Sequence, residues 1–249
     1  MKAIILGAGY ATRLYPLTKN FPKPLLKIGS TTIIDHIMEK IDRVKEIDKV
    51  YVVTNHNFYN HFSEWQQKAN YSKEIVIVDD NTTSNENRLG AVKDLYYTVE
   101  KENIEDEVLV LAGDNLFDFE LTDMVSFYRK KDGNVISTHK LPKIEDLRRT
   151  GVISLNEEGL VTEFEEKPVN PKSEYAVPPF YIYRMETITR HLKDYVNNPI
   201  YADKLDAPGN FIPYLIEKDK VYAYKFAGSR YDIGTIESYN LVKEMFENR

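Results

Sequence analysis

The sequence predicts an α/β protein with a mixed, mostly parallel sheet flanked by helices. Strand-like and helix-like segments alternate through residues 1–133, a pattern typical of a parallel sheet that is covered on both faces. The run 108–112 is apolar throughout, as expected for a strand buried on both sides. From residue 134 onward short strand-like segments dominate, and they are interpreted as β-insertions into this architecture.

The first half supplies the predicted parallel strands and their helices. Predicted strands cover residues 3–6, 50–54, 75–78 and 108–112, and predicted helices cover 33–41, 59–68, 89–100 and 121–131. Thr31 and Thr32 precede the first helix and can cap it. Ligands of open parallel sheets bind beyond the carboxyl ends of the strands. Gly7 and Asp114 each follow a strand, so we expect them to converge there.

The second half is expected to complete the ligand site and to form one side of it. Predicted strands cover residues 135–139, 152–155, 160–167, 176–183 and 221–225, and predicted helices cover 185–196, 211–217 and 236–247. No linker of low complexity separates the halves. We therefore predict one domain over 1–249, with halves 1–133 and 134–249.

Composition excludes several classes of protein. The chain has 249 residues, 42% of them apolar, and no run approaches the length of a membrane span. A net charge of −6 argues against nonspecific nucleic-acid binding. The absence of cysteine excludes disulfides and thiolate metal sites. Because Met1-Lys2 leads straight into a strand, we expect no secretory signal and a cytoplasmic protein without membrane or nucleic-acid partners.

The segment 7–25, GAGYATRLYPLTKNFPKPL, is the main functional candidate. It begins with Gly7, Ala8 and Gly9 at the end of the first strand, where exposed N–H groups can form an anion-binding concavity. Two cations follow, Arg13 and Lys23, the second between prolines. This arrangement is suited to holding a triphosphate.

A dinucleotide-binding oxidoreductase is one alternative, because Gly7-Ala8-Gly9 follows a strand. That fingerprint needs a helix directly after the glycines and an acidic residue about twenty positions later, at a strand end. Pro16, Pro22 and Pro24 prevent a continuous helix. The nearest candidate acid, Asp35, lies inside a predicted helix. The oxidoreductase interpretation therefore ranks below that of a transferase.

Five motifs, in order, resemble the sugar-phosphate nucleotidylyltransferases, also called NDP-sugar pyrophosphorylases. The opening loop resembles their G-G-x-G-T-R-L and P-K-P-L patterns, with Ala8 and Ala11 at small positions. The others are Gly-Asp at 113–114, Gly-Val at 151–152, E-K-P at 166–168 and Y-D-I-G-T at 231–235. The last lacks the tryptophan of the family's W-x-D-x-G-T motif. Within the family the chain resembles the glucose-1-phosphate thymidylyltransferase-like branch, although that branch has Thr-Gly where this chain has Pro178-Pro179.

The resemblance implies the Rossmann-like nucleotide-diphospho-sugar transferase fold and transfer of a nucleotide from an NTP to a sugar 1-phosphate. It implies a nucleotide-binding half, 1–133, and a sugar-binding half, 134–249, whose β-insertions form the sugar side. Each motif residue then has an implied role. The NTP phosphates are contacted by Arg13 and Lys23, and the attacking phosphate is contacted by Lys167. Mg²⁺ is bound by Asp114 and Asp232. The nucleotide is bound by Gly7, Ala8, Gly9, Asn81, Gly90 and Asp114, and the sugar by Gly151, Glu166, Lys167 and Val177.

A second alternative is a non-catalytic relative that binds nucleotide sugars for regulation. Such a relative is expected to have lost one of Arg13, Lys23, Asp114 and Asp232, and this chain keeps all four. The sequence leaves open the base, the sugar and the oligomeric state, a homo-oligomer included.

Overall fold

A computed structural model describes residues 1–247. The chain divides into two compact units. The first contains residues 1–89, 112–121 and the segment from 228 onward; the second contains 90–111 and 122–227. The units do not coincide with the predicted halves, because the chain leaves the first unit twice and returns to it twice. The single domain over 1–249 stays a prediction.

The strands alternate with helices early in the chain and follow one another later. They are β1 (Lys2–Leu6), β2 (Lys27–Ile28), β3 (Thr31–Thr32), β4 (Lys49–Thr54), β5 (Glu74–Asp79), β6 (Val108–Ala112), β7 (Asn115–Phe117), β8 (Asn134–Lys140), β9 (Gly151–Leu155), β10 (Val161–Glu166), β11 (Tyr175–Val177), β12 (Phe180–Tyr183), β13 (Val221–Lys225) and β14 (Arg230–Asp232). The α-helices are α1 (Ile33–Asp42), α2 (Tyr59–Lys68), α3 (Ala91–Lys101), α4 (Leu121–Tyr128), α5 (Ile144–Leu147), α6 (Leu192–Asn197), α7 (Ile212–Ile216) and α8 (Ile236–Glu247). None of the described helices combines the length and apolarity that crossing a bilayer requires.

The first unit contains three of the four predicted parallel strands, β1, β4 and β5, whereas residues 108–111 of the fourth, β6, belong to the second unit. β4 pairs in parallel with β1 on one side and with β5 on the other. The buried positions of β1 and β4 are apolar except Thr54, and Ile4, Val50 and Val52 are fully inaccessible to solvent. β7 and β14 form an antiparallel ribbon in which Asn115 lies opposite Asp232. This ribbon was not predicted, and it places two distant segments of the sequence side by side.

Asp35, the acid weighed for a dinucleotide site, has a structural role instead. Thr32 caps α1, and the Asp35 carboxylate accepts hydrogen bonds from the Thr32 backbone N–H and hydroxyl in a capping box. Its other oxygen accepts bonds from Trp65 Nε1 at 2.8 Å and from the Tyr71 hydroxyl at 3.0 Å. Both carboxylate oxygens of Asp35 therefore stabilise the fold.

The second unit is mainly antiparallel. Its strands run in the order β10-β9-β11-β8-β12-β6, and β13 adds to β8 in parallel. The neighbours along that order pair antiparallel. The α/β class and the mixed, helix-flanked sheet are thus confirmed, with the parallel pairs concentrated in the first unit.

Two predicted elements were wrong in detail. The predicted strand 176–183 is two strands, β11 and β12, because Pro178 and Pro179 have no N–H to donate to a ladder. The predicted helix 185–196 is not α-helical throughout: residues Thr187–His191 form a wider, π-helical turn before α6 begins.

Candidate active site

Two glycines at strand ends allow Pro24 to pack against the ends of β1 and β6. A Cβ on Gly7 would lie 3.0 Å from the Val53 carbonyl oxygen and 3.6 Å from Pro24 Cγ. A Cβ on Gly113 would lie 3.1 Å from the Leu6 carbonyl oxygen and 3.3 Å from Pro24 Cγ. Both glycines also donate backbone hydrogen bonds, to Val53 and Leu6 respectively. Gly7 and Gly113, the residue before Asp114, therefore both lie against Pro24, which follows Lys23.

Lys23 is a buried cation with a defined partner. Its side chain is 7% exposed, and its Nζ lies 2.8 Å from Asp114 Oδ2. The Asp114 side chain is 39% exposed to solvent, although many protein atoms surround it. Burial raises the pKa of Asp114, but the charge and hydrogen bond of Lys23 outweigh that effect and hold the pKa below its usual value. Asp114 is therefore an anion at neutral pH.

A chain of polar contacts connects the two predicted metal-binding aspartates. Asn115 Nδ2 donates to Asp114 Oδ1 at 2.5 Å, and Asn115 Oδ1 accepts from Arg230 Nε at 2.5 Å. Arg230 Nη2 in turn lies 3.6 Å from Asp232 Oδ2. The β7–β14 register places Asp232 beside Asn115. The fold thus brings Asp114 and Asp232 into one network.

Arg13 and the rest of the opening loop lie beside this network. A Cβ on Gly234 would lie 3.9 Å from both Arg13 Nη2 and the Asp232 carboxylate oxygens. Gly9 is exposed, and nothing lies within 4 Å of where its Cβ would be. The Ala8 carbonyl accepts a 2.9 Å hydrogen bond from Asn55 Nδ2. The exposed backbone at Gly9 is therefore open to a ligand, and Ala8 anchors the loop.

Ala11 occupies the left-handed region, with φ 46° and ψ 43°. The family pattern has glycine at this position, and glycine adopts that conformation without steric cost. The Ala11 carbonyl accepts hydrogen bonds from the Leu14 N–H and the Thr18 hydroxyl, both near 2.9 Å or shorter. These bonds hold the turn in a conformation that alanine disfavours.

Three of the predicted sugar-binding residues are neighbours in the second unit. Gly151 lies opposite Glu166 across β9 and β10 and opposite Val177 across β9 and β11. A Cβ on Gly151 would lie 2.5 Å from the Phe164 ring, and one on Gly209 would lie 2.6 Å from the same ring. The two glycines therefore make room for Phe164, next to the Glu166 carboxylate.

Lys167 follows β10 in a left-handed conformation, with φ 48°. Its N–H donates to the Thr150 carbonyl, and its exposed Nζ lies 3.4 Å from Glu166 Oε1. The Val177 carbonyl already accepts a hydrogen bond from the Thr150 hydroxyl. The E-K-P motif thus presents a cation and an anion together at the end of one strand.

Both predicted base-binding residues, Asn81 and Gly90, have a positive φ. Asn81 has φ 64°, and its N–H donates to Asp79 Oδ1 at 2.8 Å. At Gly90, φ is 88° and a Cβ would lie 2.6 Å from the Leu205 carbonyl oxygen. Glycine is required there for packing, whether or not a base also contacts it. The roles of Asn81 and Gly90 in binding a base stay predictions.

Asn115 and Arg230 are the participants that sequence reasoning missed. Asn115 adjoins Asp114, and Arg230 stands two residues before Asp232, where the family motif has tryptophan. That substitution, of a cation for an aromatic ring inside an otherwise matching motif, was the signal that could have revealed Arg230.

Residues of the first unit fit a hard divalent cation whose remaining ligands come from the substrate. Within residues 1–247 no group of three His, Cys, Asp or Glu side chains is arranged to hold a metal. Mg²⁺ is nevertheless commonly bound by one or two carboxylates plus substrate phosphates. Asp114 accepts two hydrogen bonds, and a carboxylate has about four acceptor positions. Asp114 and Asp232 thus retain the capacity to bind such an ion.

Comparison with known proteins identifies a family. The family model "Nucleotidyl transferase" matches residues 2–249. The chain is 28% identical over 251 residues to a glucose-1-phosphate adenylyltransferase from Fusobacterium nucleatum, covering 95% of this chain and 64% of that protein. It is 30% identical to the enzyme of that name from Clostridium novyi, covering 96% and 64%. The chain thus spans slightly less than two thirds of the length of these relatives.

Solved structures share the fold. A structure of UDP-glucose pyrophosphorylase complexed with UDP-glucose superimposes with a TM-score of 0.82 at 21% identity, covering 99% of this chain and 98% of that one. The apo form of a UDP-glucose pyrophosphorylase gives a TM-score of 0.79 at 21% identity, covering 100% and 98%. At this identity the likeness concerns the fold.

Proposed function

The chain belongs to the nucleotidyl transferase family, and we propose that it is a sugar-1-phosphate nucleotidylyltransferase that converts an NTP and a sugar 1-phosphate to an NDP-sugar and pyrophosphate. One observation carries the proposal: the loop cations Arg13 and Lys23 and the carboxylates Asp114 and Asp232 meet in the first unit. The names of the relatives, glucose-1-phosphate adenylyltransferases, support the same reaction class.

The proposed chemistry needs positioning and charge neutralisation. A phosphate oxygen of the sugar 1-phosphate attacks the α-phosphorus of the NTP in line, and the bond to pyrophosphate breaks. Because this nucleophile is already an anion, no general base is required. Arg13 stabilises the charge that develops on pyrophosphate, and Lys23 contacts the phosphates of both reactants. The ion pair with Asp114 orients Lys23 for that role.

Asp114 and Asp232 would hold Mg²⁺ together with the phosphates. When bound, the ion would neutralise negative charge on the α-phosphate. The protein's own contribution is to keep Asp114 ionised and to hold the two carboxylates in one network. The depressed pKa of Asp114 and the β7–β14 register support that contribution.

The sugar 1-phosphate is assigned to the second unit. Glu166 would accept hydrogen bonds from sugar hydroxyls, beside the backbone of Gly151 and Val177. Lys167 would hold the attacking phosphate with its exposed ammonium group. Assigning the reactants to separate sets of residues predicts that binding of each can fail independently.

The test is a panel of five NTPs against several sugar 1-phosphates, with Mg²⁺ present and pyrophosphate release as the readout. At least one pair should turn over, and EDTA should abolish the turnover. Asp114→Asn should also abolish it, whereas Asp48→Asn, an exposed carboxylate paired with Lys2, should not. If no pair turns over while an NDP-sugar binds tightly, the protein is a nucleotide-sugar-binding relative and the proposal is wrong.

A further inference from the structure

Each of the two proposed metal-binding carboxylates already has a cation of the protein beside it. Lys23 Nζ lies 2.8 Å from Asp114 Oδ2, and Arg230 Nη2 lies 3.6 Å from Asp232 Oδ2. Both cations are less exposed than their partners: the side chain of Arg230 is 15% exposed and that of Asp232 is 56% exposed. The cations are therefore fixed parts of the protein, and the carboxylates face outward.

Arg230 is held by more than its contact with Asp232. Its Nε donates to Asn115 Oδ1 at 2.5 Å, and Asn115, itself buried, donates to Asp114. The planar guanidinium can point separate N–H groups at the two partners, which a lysine ammonium on a flexible stem cannot reproduce. Arg230 is thus connected to both aspartates, to one through Asn115 and to the other directly.

The charges of these four side chains cancel. Lys23 and Arg230 contribute two positive charges, and Asp114 and Asp232 contribute two negative charges. A free divalent cation approaching them is attracted by two carboxylates and repelled by two cations at contact distance. A divalent cation already bound to a triphosphate carries a net negative charge, and for that complex Lys23 and Arg230 are attractive.

We propose that Arg230 is a positioning residue that acts as a resident counter-cation: it keeps Asp114 and Asp232 together before substrate arrives and disfavours divalent metal that comes without a nucleotide. The inference rests on the proposed function, since it assigns the two aspartates to a metal. It goes beyond the family resemblance, because the motif carries tryptophan where this chain has Arg230. Metal then enters the site with the phosphates.

The experiment measures Mn²⁺ binding to the nucleotide-free protein by electron paramagnetic resonance. It compares wild type with Arg230→Met, Arg230→Lys and the control Arg43→Met, which removes an exposed arginine of the same unit. Arg230→Met should tighten Mn²⁺ binding about fivefold, the equivalent of about 1 kcal/mol for a partly exposed pair. Arg230→Lys should bind Mn²⁺ like wild type, because it keeps the charge. Arg43→Met should also leave Mn²⁺ binding unchanged.

Turnover should fall in the variant that binds Mn²⁺ more tightly. Arg230→Met should lower kcat by about tenfold or more, because small displacements of aligned groups are costly, and Arg230→Lys should recover part of that loss. Thermal unfolding of each variant checks that it is folded. Mn²⁺ binding that weakens in step with kcat and stability would show a merely structural role and overturn the proposal. So would Mn²⁺ binding in Arg230→Met equal to that in Arg43→Met. The Mn²⁺ measurement needs no turnover, so it stays informative if the nucleotidylyltransferase assay fails.

Discussion

Replacing Lys23 by methionine isolates the charge at the centre of the first unit. Methionine keeps an unbranched apolar stem that can occupy the buried path of the lysine chain. It removes the ammonium group that lies 2.8 Å from Asp114 Oδ2. The packing of Pro24 against Gly7 and Gly113 is left in place. The variant therefore tests the ion pair and not the shape of the loop.

The exposures of the two partners set the expected magnitude. Breaking a fully buried ion pair costs about 3–5 kcal/mol, and an exposed pair contributes about 0–1 kcal/mol. Lys23 is buried, but Asp114 is 39% exposed, so water compensates part of the loss. We expect Lys23→Met to lower the free energy of unfolding by about 1–3 kcal/mol. For a chain of this length that lowers Tm by roughly 2–12 °C.

The effect should depend on pH with a defined sign. Burial raises the pKa of Asp114, but the effect of Lys23 in the opposite direction is larger. The folded-state pKa of Asp114 therefore lies below its unfolded-state pKa. A group of this kind stabilises the protein above the unfolded pKa, about 3.9 for Asp, and the stabilisation is lost as pH falls through the folded pKa. The difference in stability between wild type and Lys23→Met should therefore be full at pH 7 and shrink below about pH 4.

Urea unfolding of a double-mutant cycle measures the pair directly. The cycle uses Lys23→Met, Asp114→Asn and both together, and we expect a coupling free energy of about 1–2 kcal/mol. Lys2→Met is the matched control, because Lys2 pairs at 2.6 Å with an Asp48 side chain that is 65% exposed. A coupling below about 0.3 kcal/mol, or a loss in Lys23→Met no larger than in Lys2→Met, would refute this account of the site.

Four further predictions follow from single contacts. Arg13→Ala should lower kcat by about 10²–10³ and leave the KM for NTP nearly unchanged in steady-state kinetics; an effect on KM alone would contradict its role. Lys167→Ala should weaken sugar 1-phosphate binding by roughly ten- to a hundredfold in calorimetric titrations, with NTP binding little changed; loss of NTP binding instead would reverse the assignment. Ala11→Gly, which relieves a left-handed alanine at φ 46°, should raise the stability by up to about 1 kcal/mol, and an unchanged urea midpoint would show that the turn is not strained. Asp35→Asn reduces the number of hydrogen bonds that residue 35 can accept, among them those from Trp65 and Tyr71. It should lower the free energy of unfolding by about 1–3 kcal/mol in the same urea assay, and a midpoint equal to that of wild type would contradict the structural role of Asp35.

Local pattern was sufficient to predict the elements whose side chains face a core. α1 could be placed because Ile33, Ile37 and Ile41 recur at helical spacing after a capping threonine, and they are buried as expected. The strand 176–183 failed although its apolar pattern is continuous. Its break at Pro178-Pro179 depends on backbone donors, which hydropathy does not register.

Residue types and motif order were sufficient to predict residues of the candidate site, but not how those residues contact one another. Lys23, Asp114 and Asp232 were named from their motifs, but the sequence does not show which cation contacts which carboxylate. That information is in the register of β7 and β14, where Asp232 comes to lie opposite Asn115. β7 and β14 are three residues each, too short for periodicity to reveal, so Arg230 stayed hidden.

Net charge misleads about this chain for a related reason. A protein of charge −6 is a poor general binder of polyanions, yet the proposed substrate is a triphosphate. At physiological ionic strength, charges farther apart than about 8 Å are largely screened, so most surface carboxylates contribute little at the site. Lys23 is buried, Arg230 is partly buried, and Arg13 lies beside the same network. Three local cations whose positions are set by folding can therefore outweigh the overall acidity, and their arrangement, not the composition, decides what the first unit binds.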